Sequence, residues 1–263
     1  MAKDKDKEIV IDLTLSDDES QSENELRNEI SFDCPFNPPL NISGNILEYR
    51  HYKILKSHSA WFTDDIVNAF FCILQSKYKD KCFVFSSFFY ESLLRKGKEY
   101  CLKHWTKDVK TFLSSSTNDK IVLFPVNSGG SHWVLLAWFV DEGTLKYYDS
   151  LMCKRSGNLI MKCIGEFFYE MKTEEVGIDK LLSNLSIGDE KDDETTVSGA
   201  ENFPFIKNYL IPKGQGQQSD GSSCGPFCCL NGKSLLDTEK ETIVDIYKFR
   251  ESLINYFKEN KDI

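Results

Sequence analysis

No apolar run in this chain approaches the roughly 20 residues that a membrane-spanning helix requires. The opening MAKDKDK (1–7) is charged and lacks the apolar block of a secretory signal. Clustered basic residues are missing too. The 32 Lys and Arg stand against 41 Asp and Glu, a net charge of -9. Phosphate backbones are bound by grouped cations, so a nucleic-acid partner is not expected. An acidic chain instead favours partners with a basic face. The nine cysteines do not form a ligand pattern: their count is odd, their spacings scatter, and there is no paired CxxC. Neither a secreted disulfide framework nor a tetrahedral zinc site is expected from them. No internal repeat is present. The expectation is an intracellular monomer, in nucleus or cytoplasm, without membrane, nucleic acid, metal or cofactor.

What is present divides the chain in two. Residues 1–45 form a charged, Ser-rich stretch with one apolar island, Ile9-Val10-Ile11-Asp12-Leu13, then a proline-rich lead-in at CPFNPPLNISGN (34–45). This stretch is read as a disordered tail, since it cannot bury enough surface to offset its ordering entropy. From 46 to 263 the pattern is globular, with a 41% hydrophobic fraction and 19 phenylalanines to fill a core. Trp61 to Tyr78 carries apolar residues at helical spacing, with Thr63 or Asp64 as its cap. Residues 86–113 read as mainly helical and IVLFPVN (121–127) as a strand. SHWVLLAWFV and LKYYDSL are joined by DEGT (141–144) as a hairpin. NLIMKCIGEFFYEMK (158–172) returns to helical spacing, and 173–200 reads as an exposed acidic insertion. FPFIKNYLI suggests a strand, FCCLNGKSLL a helix, and residues 243–259 a closing amphipathic helix. The class is α+β, a mixed sheet flanked by helices.

Cysteine-based hydrolysis requires a thiolate, a base, a group that orients the base, and donors for the oxyanion. Cys224 opens the predicted helix, where the positive dipole end lowers a thiol pKa. Pro226 fits a first helical turn, and Gly225 leaves room for a substrate backbone. Cys228 and Cys229, one turn further on, read as packing residues. Of the four histidines, His51 and His58 fall in a polar lead-in and His104 beside a core Trp105. His132 starts an apolar strand after the flexible Ser128-Gly129-Gly130, at a position that suits the edge of a cleft. The predicted hairpin returns the chain from His132 to Asp149, so a carboxylate comes beside the imidazole. Gln218, six residues before Cys224, has amide N–H groups suited to an oxyanion hole.

These residues resemble the catalytic domain of the ubiquitin-like-specific protease family, the SUMO (sentrin) proteases, over roughly residues 50–260. The resemblance rests on HWVLLAWFVDEGTLKYYDSL, YCLKHWTKDVKTF, QSDGSSCGPF and WFTDDIVNAFF, in that family's order and with seventeen residues from His132 to Asp149. It implies a papain-like cysteine protease fold, with Cys224 as nucleophile, His132 as base then acid, Asp149 as orienter and Gln218 in the oxyanion hole. It further implies that Trp61 and Trp133 roof a tunnel for the Gly-Gly tail of SUMO, and that Asp64 meets an arginine on the modifier. The apolar island Ile9, Val10, Ile11 and Leu13, followed by acids and serines, then resembles a SUMO-interacting motif that adds a strand to SUMO's sheet. The implied partners are SUMO, or a related ubiquitin-like modifier, and its conjugates. Proteolysis of another such modifier is the alternative within this chemistry, and acetyl transfer by the same constellation the alternative outside it. Two departures affect the loop before the nucleophile: Ser223 stands where the family usually has Asp, and Asp220 where it has Asn.

Overall fold

The computed structural model describes residues 34–176, 206–237 and 245–263. The apolar island at 9–13 and insertion residues 177–200 lie outside these described residues.

The architecture is set by two strands that are apolar on both faces. β4 (Ile121–Ser128) and β5 (His132–Phe139) are almost continuously buried, the pattern of central strands covered on both sides. Alternation then divides their side chains between two cores. Leu123, Leu135, Ala137 and Trp133 join one cluster; Val122, Phe124, Val134, Leu136 and Trp138 join the other. The five-stranded sheet has the order β3-β4-β5-β6-β7, with β3 (Cys82–Val84), β6 (Thr144–Tyr148) and β7 (Asn208–Leu210) completing it. The β3–β4 and β6–β7 pairs are parallel and the two central pairs antiparallel, so the sheet is mixed.

On one face lie α1 (Tyr49–Lys56), α2 (Asp64–Lys77), α7 (Cys224–Leu236) and α8 (Ile246–Glu259). α2 starts at Asp64 because the Thr63 hydroxyl accepts from the Ile66 N–H at 3.5 Å, while Asp64 and Asp65 complement the dipole. On the other face lie α3 (Phe88–Lys96), α4 (Lys98–Trp105), α5 (Lys107–Leu113) and α6 (Lys154–Val176). The last turn of α6 takes in residues 173–176, so the helix runs into the start of the predicted insertion.

The tail boundary at 45 is corrected. Residues 34–45 are not a linker. Cys34, Phe36, Leu40 and Ile42 are buried, and β1 (Leu40–Ile42) pairs with β2 (Asn45–Leu47). Phe36 meets Tyr52 and Phe257 edge-on, and the Ser43 N–H donates to the carbonyl of Ile263 at 3.0 Å. Three prolines made this stretch look irregular, but its spaced apolar residues close the core over α8. His51 is corrected as well: it is fully buried in α1, where its Nδ1 accepts from the Glu48 N–H at 2.8 Å.

Candidate active site

Cys224 is the first residue of α7, with Ser223 as the N-cap. α7 packs on β5, and the Cys228 thiol faces the Val134 carbonyl at 3.5 Å. This docking brings the helix start to the end of β5 where His132 sits. The β4–β5 turn that precedes His132 uses Gly129 at φ 66° and Gly130 at φ 76°, left-handed conformations that favour glycine. After the following hairpin, Asp149 leaves β6 beside His132, and its Oδ1 lies 2.7 Å from His132 Nε2.

The Asp149 carboxylate is buried and faces donors on every side. Oδ1 also accepts from the Leu151 N–H at 2.8 Å, while Oδ2 accepts from the Cys153 N–H at 2.8 Å and the Tyr147 hydroxyl at 3.1 Å. Burial pushes its pKa up, but His132 and the two backbone donors outweigh burial, and the net shift is downward. An ionised carboxylate only accepts, so His132 Nε2 carries the hydrogen and Nδ1 is left for proton exchange with the thiol. The Asp149 and Cys224 hydrogen bonds together raise His132 to about 9, against a smaller opposing effect of burial. At Cys224 burial again opposes ionisation. His132 and the backbone N–H groups of Trp133 and Gly225 overcome it and lower the thiol pKa. Both shifts favour a thiolate–imidazolium pair. Cys228 and Cys229 differ: they are buried, and burial raises both thiols well above the ordinary range.

The loop before Cys224 is organised by Asp220, whose role was not read from the sequence. Its carboxylate accepts from the Ser222 N–H at 2.8 Å, the Ser223 N–H at 2.7 Å and the Ser223 hydroxyl at 2.7 Å. This accounts for the two departures as one arrangement, with the carboxylate at 220 and its hydroxyl partner at 223. The signal was present in Asp-Gly-Ser-Ser, a sequence that favours an Asx-type turn. Gln218 is held at both ends of its amide. Oε1 accepts from the Ser150 hydroxyl at 2.6 Å, and Nε2 donates to the Asp220 carbonyl at 2.6 Å. An amide nitrogen has two hydrogens, so one remains. Ser150 follows Asp149, and the two loops that carry Asp149 and Gln218 are therefore joined directly.

The two tryptophans differ in their surroundings. Trp61 is 50% exposed, whereas Trp133 is 3% exposed and its Nε1 donates to the Phe62 carbonyl at 3.0 Å. Asp64 accepts from the Ser87 hydroxyl at 3.1 Å and lines a groove with Glu91, Asn127 and Gly129. The expected space beside Gly225 is filled by the protein itself: a Cβ there would fall 2.7 Å from Phe62 Cβ. Gly225 serves this close approach and not substrate access. Among the described residues no group of three or more His, Cys, Asp or Glu is placed to hold a metal ion.

The assembled groups can generate a nucleophilic thiolate, transfer a proton and orient the base, which is the chemistry of acyl transfer. Comparison with known proteins agrees. A catalytic domain of the SUMO protease Ulp1, with its catalytic cysteine oxidised to a sulfenic acid, superposes with a TM-score of 0.58 at 21% identity, covering 94% of this chain and 95% of that one. The C-terminal Ulp1 protease domain in complex with Smt3, the yeast ortholog of SUMO, gives 0.57 at 21%, covering 84% and 86%. The Ulp1-like SUMO protease catalytic domain of Chaetomium thermophilum gives 0.53 at 18%, covering 92% and 90%. At these identities the likeness establishes the fold. The family model of the Ulp1 protease family, C-terminal catalytic domain, matches residues 60–261. The chain belongs to the Ulp1 protease family of cysteine peptidases.

Proposed function

We propose that this peptidase cleaves after the C-terminal Gly-Gly of SUMO, releasing SUMO from target lysines and maturing SUMO precursors. The observation that carries the reading is the His132–Asp149 pair at 2.7 Å beside a thiol whose pKa is lowered at the start of α7. The Cys224 thiolate attacks the carbonyl of the terminal glycine. The Cys224 N–H and the remaining Gln218 N–H hold the developing oxyanion. As the intermediate collapses, the C–N bond breaks and His132 Nδ1 gives its proton to the leaving lysine amine. His132 then takes a proton from water as it attacks the thioester, which releases the modifier's carboxylate and restores the thiol pair.

Trp61, exposed next to the nucleophile helix, covers the tail, and Trp133 forms the wall below it through Phe62. Only glycines are slim enough to pass such a constriction. In the groove it lines, Glu91 is ion-paired with Arg95 at 2.9 Å, which leaves the Asp64 carboxylate to meet a basic residue of the modifier. The segment Ile9, Val10, Ile11 and Leu13 adds a second contact by strand addition. The support for SUMO is the resemblance of four sequence blocks and the fold shared with a protease domain that binds Smt3.

The test is labelling with electrophile probes built on the C-termini of SUMO and of other ubiquitin-like modifiers. Covalent capture at Cys224 by the SUMO probe alone is expected. Capture only by another modifier's probe moves the substrate to that modifier, and no capture by any probe overturns the protease reading.

A further inference from the structure

Arg250 is a buried cation that the chemistry above does not use. It is fully buried on α8, between Phe249 and the apolar Leu253 and Ile254. Burying a guanidinium in an apolar core is costly unless it is well compensated, so an aliphatic residue would serve the core better. Its Nη2 donates to the Ile54 carbonyl at 2.9 Å and to the Ala60 carbonyl at 2.6 Å. Ile54 lies in the last turn of α1, where its carbonyl also accepts from the Ser57 N–H at 3.2 Å and the dipole favours a cation. Nε and Nη1 have no hydrogen-bond partner among the described residues, so no carboxylate neutralises the group by contact. The guanidinium also lies 4.9 Å from the centre of the Phe62 ring, within cation–π range.

The two hydrogen bonds and the ring contact all fall on the segment that carries Trp61, while the Asp220 carboxylate acts on the guanidinium at longer range. Ala60 and Phe62 flank that tryptophan; one is fixed through its carbonyl and the other through its ring. The Phe62 carbonyl is held in addition by Trp133, and its Cβ abuts Gly225 of the nucleophile helix. Two further contacts fix the same segment: the Ser222 hydroxyl donates to the His58 carbonyl at 3.2 Å, and the His58 ring stacks on Tyr247 at 4.5 Å. A half-exposed indole on a loop would otherwise sample many orientations, and each lost rotamer is an entropy cost to substrate binding.

We propose that Arg250 is a positioning residue for the peptidase reaction: its buried guanidinium clamps the 54–62 segment at both ends and thereby holds Trp61 over the entrance to Cys224. This inference rests on the substrate role of Trp61 stated above. Two measurements test it. The first is amide hydrogen exchange of the full chain, which needs no substrate. Arg250→Met is expected to speed exchange at residues 57–62 by tenfold or more while leaving 225–236 protected, and unchanged exchange at 57–62 overturns the clamp. The second is a double-mutant cycle in kcat/KM on a modifier carrying a C-terminal fluorogenic amide. Arg250→Met is expected to cost tenfold or more in the native background but less than twofold in Trp61→Ala, with Arg250→Lys recovering part of the loss. Equal losses in the two backgrounds would mean that Arg250 does not act through Trp61. Should the methionine variant not fold, Arg250→Lys goes through both measurements: faster exchange at 57–62 and a loss in kcat/KM at least threefold larger in the native than in the Trp61→Ala background are expected, and failure of either overturns the proposal. A native chain inert towards every modifier would refute the protease reading, while the exchange result would still decide the clamp.

Discussion

Replacing Asp149 by Asn isolates the charge that orients His132. The carboxylate accepts four hydrogen bonds, from His132, Leu151, Cys153 and Tyr147. Two of these donors, the backbone amides of Leu151 and Cys153, cannot act as acceptors, and imidazole Nε2 accepts only in the tautomer that moves its hydrogen to Nδ1 and so disables the base. An Asn side chain has one oxygen, so its NH2 group must face at least one of them, and a buried donor is left unpaired at a cost of about 1–3 kcal/mol in stability. The catalytic cost is larger in consequence. Raising His132 from 6.5 to about 9 corresponds to roughly 3 kcal/mol in favour of the imidazolium, with Asp149 the largest contributor and Cys224 the second. With Asp149 the largest contributor, a loss of more than about tenfold and at most about three-hundredfold in kcat/KM is expected. The sign of the pH effect follows. The native alkaline limb is set by loss of the imidazolium proton near 9, and without the carboxylate that proton is lost at lower pH. The acid limb reflects formation of the thiolate, and both limbs belong to the coupled pair. The assay is kcat/KM against pH on a fluorogenic modifier substrate, together with the pH dependence of Cys224 alkylation. An Asn variant within threefold of the native rate, with its alkaline limb still near 9, would refute this account of Asp149.

Further outcomes follow from the same geometry. Gln218→Ala is expected to lower turnover by about a hundredfold, the scale of one lost oxyanion donor; a rate within threefold would remove Gln218 from the site. Gly225→Ala puts a methyl group 2.7 Å from Phe62 Cβ, whose backbone is held by Trp133. A stability loss of about 1–3 kcal/mol is expected by denaturant titration, and an unchanged midpoint would show that Phe62 yields. Brief alkylation of the native protein, read by mass spectrometry, is expected to modify Cys224 and the exposed Cys153, whose thiol pKa its Ser156 partner lowers. Cys228 and Cys229 are expected to stay unmodified until unfolding, and their early labelling would contradict the burial that raises their pKa. Deleting residues 1–30 is expected to weaken affinity for the modifier and to spare Cys224 alkylation, both measurable by titration.

The sequence by itself determined the local elements and their chemistry. Thr63 before two aspartates announced the start of α2, and the all-apolar IVLFPV and WVLLAWF runs announced the central strands. The DEGT turn was enough to return Asp149 to His132, because an antiparallel hairpin has few ways to close. The position of Cys224 at the start of a helix was legible from the Gly225-Pro226 that follows it. Sequence spacing did not reveal what fills the space around these groups. Gly225 looked like an opening for substrate until Phe62 was found against it, and the proline-rich 34–45 looked like tail until Phe36 was found between Tyr52 and Phe257. His51 fell in what read as a polar lead-in, and nothing in the pattern singled out Arg250 within the closing helix, yet both are fully buried. Local pattern records which face of a helix or strand is apolar, so it fixes elements with strong periodicity. It cannot record a contact such as that between Arg250 and Ala60, where 190 residues separate the partners and only the packing of α8 on α1 brings them together.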